Sequence, residues 1–272
     1  MENQSDVSGL SSCKTIKGDL EIASVYANEV SLDGVQEITG ALKCDGGENV
    51  TEISAPMLES IGDAFSLNGL TKLTSLRMDS LTSVGSIEFV ALPKLQKLQF
   101  GETVSKAGTI RVENTGLNSL DGIDLEETDG MDISNNKQLS SVNVNKITNA
   151  TGLISFSANS EDLKIKFPNL EKADNMTFRN TSMVSVPSLK STKGLLGLYS
   201  NYFEEFFAPN LTSSGALVFN DNSALKNISL PVLKTVDGPF QIANNSKLES
   251  FKGAPKLEEI SGTLDFTGVF DE

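Results

Sequence analysis

Residues 209–222 read PNLTSSGALVFNDN, and this stretch contains the complete pattern that decides the fold. Pro209 marks a turn, Gly215 precedes the hydrophobic pair Leu217/Phe219, and an asparagine follows three residues after the pair. A pair of this form returns about every 22 residues, a period that is typical of solenoid proteins. The pairs are Leu20/Ile22, Leu42/Cys44, Phe65/Leu67, Ile87/Phe89, Ile110/Val112, Met131/Ile133, Ile154/Phe156, Met176/Phe178, Leu196/Leu198, Leu217/Phe219, Phe240/Ile242 and Leu264/Phe266. They predict about twelve coils of one architecture.

Each coil reads as short strands that are separated by turns. The common pattern is L-x-x-h-x-h-P-x-L-x-x-V-x-G-x-h-x-h-x-x-N, in which h is an apolar residue. Alternation of apolar and polar residues is the period of a half-buried strand, and Pro, Gly and Asn are turn residues. We therefore predict an all-β fold, a right-handed parallel β-helix or solenoid over residues 13–272, preceded by a flexible segment at residues 1–12.

The pairs are predicted to face the interior, so that the residue between the two members of a pair faces solvent. These outward residues are mostly polar: Glu21, Lys43, Ser66, Glu88, Arg111, Asp132, Ser155, Thr177, Gly197, Val218, Gln241 and Asp265. An asparagine follows several pairs at a fixed distance, at Asn136, Asn159, Asn201, Asn222 and Asn245. Stacked in register, these amides are expected to form a structural ladder that satisfies turn carbonyls.

Composition favours a non-enzymatic secreted protein. The chain has no histidine, so nucleophiles that need an imidazole base and zinc sites built on histidine are excluded. A net charge of −14 makes nucleic acid a poor partner, and no apolar run is long enough to span a bilayer. The acidic stretch at residues 121–132 lacks calcium-loop spacing and is interpreted as a solvated loop. We predict no catalytic residue, no metal and no cofactor.

Extracellular modification is indicated by eight Asn-x-Ser/Thr sequons, of which the first is at Asn3. The other seven, predicted to carry N-linked glycans, are Asn49, Asn149, Asn175, Asn180, Asn210, Asn227 and Asn244. None of them occupies an inward pair or ladder position. The two cysteines, Cys13 and Cys44, are predicted to form a disulfide; the alternative is that Cys44 is only a small buried apolar residue.

Several stretches resemble a known family. Residues 13–22, CKTIKGDLEI, resemble the opening of receptor L domains. Residues 167–180, 114–123, 133–136 and 242–248 are similar to the fungal GPI-anchored cell-wall proteins of the extracellular-mutant and sporulation-specific family. The resemblance covers residues 13–272.

This resemblance implies a glycoprotein of the cell wall and of the outer face of the plasma membrane, with a role in wall organisation. Contact with the membrane is expected only through a GPI anchor, which the full-length protein would carry. The chain departs from the family pattern because the cysteine expected upstream of Cys13 is absent and residue 272 precedes the expected capping coil, stalk and anchor signal. An uncapped final coil predicts weak self-association.

Wall polysaccharide or surface proteins are the expected partners, and the predicted contact patch is Tyr199, Tyr202 and Phe207, since sugar rings stack on exposed aromatic side chains. Two alternatives remain open. A carbohydrate-active β-helix enzyme would need two carboxyl groups about 5 to 9.5 Å apart, a spacing that the acids of the central outward strip do not provide. A leucine-rich-repeat receptor fragment that binds a protein would have helical segments on its convex side.

Overall fold

The computed structural model describes residues 9–10, 12–23, 28–47 and 49–268. It divides into two compact units: unit 1 comprises residues 1–126 and 133–139, and unit 2 comprises residues 127–132 and 140–272. Most of the predicted segment at residues 1–12 and the sequon at Asn3 lie outside the described residues. The described residues form 27 strands, so the predicted all-β class is confirmed.

In unit 1 the strands belong to two parallel sheets. The larger sheet contains β1 (Thr15–Ile16), β2 (Leu20–Ile22), β4 (Glu37–Ile38), β5 (Leu42–Asp45), β7 (Ser60–Asn68), β9 (Ser83–Leu92), β11 (Val104–Lys106) and β12 (Thr109–Thr115). The smaller sheet contains β3 (Glu29–Ser31), β6 (Glu52–Ser54), β8 (Ser75–Met78) and β10 (Gln99–Phe100). Two further strands, β13 (Ile123–Glu127) and β14 (Gly130–Ser134), contain residues of both units.

Unit 2 repeats this arrangement. Its larger sheet contains β16 (Asn149–Ser157), β18 (Lys172–Arg179), β20 (Ser191–Tyr199), β22 (Ser213–Asn220), β24 (Thr235–Val236), β25 (Phe240–Ala243), β26 (Glu259–Ile260) and β27 (Leu264–Thr267). Its smaller sheets contain β15 (Ser141–Asn143), β17 (Lys164–Lys166) and β19 (Met183–Ser185), and β21 (Glu205–Phe207) with β23 (Asn227–Ser229). We call the strand segments that carry the hydrophobic pairs the pair sheet of each unit.

The strands pair in register with the equivalent strand of the next coil. In unit 1, Leu42 lies opposite Leu20 and Phe65 lies opposite Leu42, while in unit 2 Leu217 lies opposite Leu196. On several long strands the pairing register shifts just before the pair, for example between Thr192 and Leu195 on β20. Most coils thus consist of a short strand, a corner, the pair strand, a turn and a strand of the smaller sheet, as expected for a parallel β-solenoid.

Pair residues build the core of each unit. All are buried except Leu264 and Phe266, which remain 55% and 38% exposed because no strand follows β27 on its outer side within the described residues. Phenylalanines of successive coils contact one another: the ring centroids of Phe65 and Phe89 lie 5.1 Å apart in unit 1. Burial of each large apolar side chain stabilises by about 1.5–3 kcal/mol. The predicted inward register is therefore confirmed.

The predicted outward strip is also confirmed, since its described members are exposed or half-buried apart from Gly197. The leucine-rich-repeat alternative placed helices on the side away from the pair strands. At these positions the described residues form the short strands of the smaller sheets, so the fold does not match that expectation.

Candidate ligand surfaces and glycosylation sites

A turn of one conformation follows the pair strands from β5 to β25. Its first residue has a positive φ, as at Ala158, Asn180, Ser200, Asp221 and Asn244, whose φ values lie between 51° and 59°. This left-handed region is uncommon for residues other than glycine, and Asn and Asp are enriched there. The next residue points back into the coil, which places the ladder asparagines in the interior.

In unit 2 the predicted asparagine ladder is present. The Asn201 backbone and side-chain amides both donate to Asn222 Oδ1, at 2.9 and 3.0 Å, and those of Asn222 donate to Asn245 Oδ1, at 2.9 and 3.1 Å. Asn222 Nδ2 also donates to the carbonyl of Leu198, at 2.9 Å. Threonine occupies one rung, since Thr181 donates through its backbone N–H and its hydroxyl to Asn201 Oδ1.

A second pair of rungs lies in unit 1, where Thr115 donates to Asn136 Oδ1 through its backbone N–H at 2.9 Å and its hydroxyl at 2.7 Å. Asn136 Nδ2 donates to the Val112 carbonyl at 2.9 Å. A buried polar group that lacks a partner costs about 1–3 kcal/mol, so these amides have a structural role. The sequence pattern predicted the asparagines but not the threonine rungs, because asparagine alone defines this position of the repeat.

The sequon asparagines lie on the surface. Asn49, Asn149, Asn175, Asn210, Asn227 and Asn244 are exposed and Asn180 is half-buried, so an attached glycan would not enter the core. Two of them, Asn180 and Asn244, occupy the left-handed turn position. Among the described residues, Asn49 is the sequon of unit 1, and the other six belong to unit 2. Glycosylation at these positions stays a prediction.

The predicted aromatic patch is divided between two surfaces of unit 2. Tyr199 lies on the pair sheet, whereas Phe207 lies on β21 of a smaller sheet and is 56% exposed. Tyr202 lies in the turn between these strands and is 42% exposed. The neighbouring Phe203 and Phe206 are buried, as their register predicts.

Tyr199 is already packed against the protein. Its ring folds back over Gly197, where an added Cβ would lie only 2.5 Å from the tyrosine Cε2. The guanidinium carbon of Arg179, on the adjacent strand, lies 3.9 Å from the ring centroid in a cation–π contact. The sequence did not indicate this contact, because the period specifies the outward direction of a side chain but not its rotamer.

Both cysteines are free in the structure, which does not contain the predicted disulfide between Cys13 and Cys44. Cys13 precedes β1, which pairs with β4, whereas Cys44 lies on β5 and faces the interior of the pair sheet opposite Ile22. Burial, aided by the negative charge of Asp45, raises the pKa of the Cys44 thiol to about 11. Cys44 therefore acts as the small buried apolar residue that the alternative interpretation described.

The pair sheet of unit 1 carries a polar strip along its outer surface. Glu21, Lys43, Ser66, Glu88 and Arg111 lie directly opposite one another on successive strands. The Ser66 hydroxyl donates to Glu88 at 3.3 Å, and Arg111 Nη1 lies 3.1 Å from the same carboxylate.

Other contacts complete this strip. Asn68 Nδ2 donates to Asp45 Oδ1 at 3.0 Å, and Lys43 Nζ lies 3.7 Å from Asp19. A hydrogen bond to Glu113, together with the charges of Glu113 and Glu88, raises the pKa of the Arg111 guanidinium. A groove of about 420 Å³ runs between the side chains at positions 21, 43, 45, 66, 68 and 88. Its size falls within the usual range of small-ligand sites, about 300–1,000 Å³.

Comparison with curated proteins identifies relatives along the whole chain. The chain is 50% identical over 272 residues to the protein named ecm33 of Aspergillus fumigatus, which covers 100% of this chain and 68% of the relative. It is 53% identical over 270 residues to a cell surface GPI-anchored protein of Arthroderma benhamiae, with coverage of 99% and 70%. The chain belongs to the Ecm33 family of fungal cell-wall proteins.

More distant members of the Ecm33 family match as well. The cell wall protein ecm33 of Schizosaccharomyces pombe is 30% identical over 250 residues, which are 91% of this chain and 54% of that protein. No family model matches the chain. No solved structure matches it either. The predicted location is confirmed: the chain is an extracellular protein of the cell wall and the cell surface, and its role lies in the cell wall. Among the described residues no helix is long and apolar enough to cross a membrane.

Proposed function

We propose that this chain acts without catalysis and organises the cell wall by binding wall polysaccharide. The observation that carries the proposal is that two aromatic side chains of unit 2 remain exposed, Tyr202 in the turn after β20 and Phe207 on β21. Tyrosine combines an apolar ring with a polar hydroxyl, and such side chains are enriched at interfaces. An aromatic ring offers a flat apolar face, and the C–H face of a pyranose ring is its complement.

Neighbouring polar groups support a sugar ligand at this surface. Phe207 lies opposite Ser229 on the paired strand, and Glu205 lies on the same strand as Phe207. The carboxylate of Glu205 accepts hydrogen bonds from the hydroxyls of a sugar, and the hydroxyl of Ser229 both donates and accepts them. Tyr199 contributes less to the proposed surface, because its ring is already covered by Gly197 and Arg179.

The names of the relatives support a role at the wall and describe surface proteins rather than enzymes. The enzyme alternative is not favoured by a specific observation. A strand-borne catalytic pair needs a carboxylic acid with a raised pKa beside an ionised carboxylate. The pKa of Glu204 is lowered by its hydrogen bond to Lys226, which opposes a role for this carboxyl group as a proton donor.

A glycan array tests the proposal. The folded chain should bind wall-type oligosaccharides, and Tyr202→Ala/Phe207→Ala should reduce that binding about tenfold or more, equivalent to about 1.4 kcal/mol. Tyr199→Ala is the matched control, because its ring is packed against the protein and its removal should change binding less. A chain that binds no wall oligosaccharide in its folded state would refute the proposal.

A further inference from the structure

The pair-sheet groove of unit 1 contains alternating hydrogen-bond donors and acceptors. Along consecutive strands, acidic Glu21 is followed by basic Lys43, then by Ser66, then by acidic Glu88. A carboxylate only accepts, an ammonium group only donates, and a hydroxyl does both. This order distinguishes the groove from a uniformly basic strip, which would suit an anion, and from a uniformly acidic one, which would suit a cation.

Metal binding does not explain the groove. Within the described residues no group of three or more acidic, cysteine or histidine side chains has the geometry to hold a metal ion. Lys43 lies between the acids of the strip and forms an ion pair with Asp19. A fixed positive charge at this place opposes the binding of a cation.

The polar groups of the groove are held in place before any ligand binds. Asn68 donates to Asp45, Ser66 donates to Glu88, and Glu88 also accepts from Arg111. A side chain that is already oriented loses less conformational entropy when it binds, which favours affinity. The strip runs across successive strands about 4.8 Å apart, so it offers an extended ligand a repeated set of contacts.

Predicted glycosylation leaves this surface accessible. The sequon among the described residues of unit 1 is Asn49, which lies in the turn between β5 and β6 rather than on the pair sheet. Its side chain accepts a hydrogen bond from Lys72 at 3.1 Å. In unit 2, by contrast, Asn175 lies on β18 directly before the pair residue Met176 and is exposed.

We infer that the groove of unit 1 is a binding subsite for a neutral hexose chain, separate from the aromatic surface of unit 2. The hydroxyls of a sugar both donate and accept hydrogen bonds, so they match a surface on which carboxylate, amide, ammonium and hydroxyl groups alternate. A neutral chain also carries no charge that either Lys43 or Glu88 would repel. The inference rests on the proposed polysaccharide-binding function and assigns to it a second surface. Glucan and mannan share this chemistry, and the test distinguishes them.

The decisive variant is Asp45→Ala/Asn68→Ala. Both partners of one exposed hydrogen bond are removed together, so no polar group is left unpaired and the fold should be kept. Gln241→Ala/Asp265→Ala is the matched control, since it removes the two partners of an equivalent hydrogen bond on the pair sheet of unit 2, at 3.0 Å. Thermal melting of both variants verifies that they fold.

Titration calorimetry of the folded chain with β-glucan and α-mannan hexasaccharides provides the readout. Asp45→Ala/Asn68→Ala should weaken binding of at least one of the two about tenfold, while the control should stay within about twofold. The sugar whose binding is weakened identifies the ligand. Equal affinities for the wild type and both variants would refute the groove as a sugar-binding subsite but leave the proposed polysaccharide-binding function intact. A wild-type chain that binds neither sugar would overturn both.

Discussion

Glycine is required at the corner where the chain turns into the pair sheet, because the backbones of adjacent coils approach closely there. A Cβ added at Gly215 would lie 2.2 Å from the carbonyl oxygen of Lys193, a backbone atom that cannot move without shifting its coil. We expect Gly215→Ala to destabilise the fold by about 1–3 kcal/mol.

Urea unfolding measures this loss, and Gly197→Ala is its control. The atoms nearest to a Cβ at Gly197 belong to the side chain of Tyr199, which can rotate away. The control should therefore lose less stability and should instead release the ring from Arg179. Equal losses for the two variants would contradict the steric argument.

The two thiols should differ in reactivity. The raised pKa of Cys44, about 11, keeps it neutral near pH 8, and only the thiolate reacts. Because the folded pKa lies above the unfolded value of about 8.5, the stability that this thiol contributes is complete below about pH 8.5 and is lost as the pH rises through 11. At pH 8 a thiol reagent should modify Cys13 in the folded chain and reach Cys44 only after denaturation. Rapid modification of both in the folded state would contradict the burial of Cys44.

At the scale of one strand, inward and outward residues alternate, so the same substitution at two neighbouring positions should cost very different amounts of stability. Leu217 is fully buried in β22, while Val218 beside it is half-exposed. Leu217→Asp buries an unpaired carboxylate and should cost more than about 4 kcal/mol, whereas Val218→Asp should cost under about 1 kcal/mol. Thermal melting of both variants distinguishes these outcomes, and similar losses would mean that the strand register is different.

The same scale shows what the sequence can predict. Leu217 and Phe219 are separated by one residue, and apolar pairs of this form return with a nearly constant period. This spacing and this period together predicted the strands and their inward positions. The ladder asparagines were predictable because only a side chain that both donates and accepts can link successive turns. The sequence could not decide whether Cys13 and Cys44 pair, since a count of two cysteines carries no information about the distance between their thiols. Tyr199 shows the same limit, because its position over Gly197 depends on a rotamer.

At the scale of the whole chain, net charge should control self-association. The charge is −14 at pH 7 and the isoelectric point is about 4.5, so copies of the chain repel one another at neutral pH. Leu264 and Phe266 on β27 provide an exposed apolar surface on which copies could associate once this repulsion is weakened. We expect a monomer at pH 7 and low salt, with weak association as salt rises or as the pH falls toward 4.5.

Static light scattering across salt and pH measures the association, and Leu264→Ser/Phe266→Ser identifies the surface. Leu264 is 55% exposed, but the ring of Phe266 packs edge-on against Phe240 and Phe251, with centroids 5.2 and 5.5 Å away, so the double variant should lose some stability. Thermal melting verifies that it is folded at the temperature of the measurement, where it should lose the salt-promoted component. Gln241→Ala, which alters a half-buried polar residue of the same pair sheet, should associate like the wild type. If the double variant associates as strongly as the wild type, β27 is not the contact surface. If the wild type stays monomeric at high salt, charge repulsion is not what prevents association.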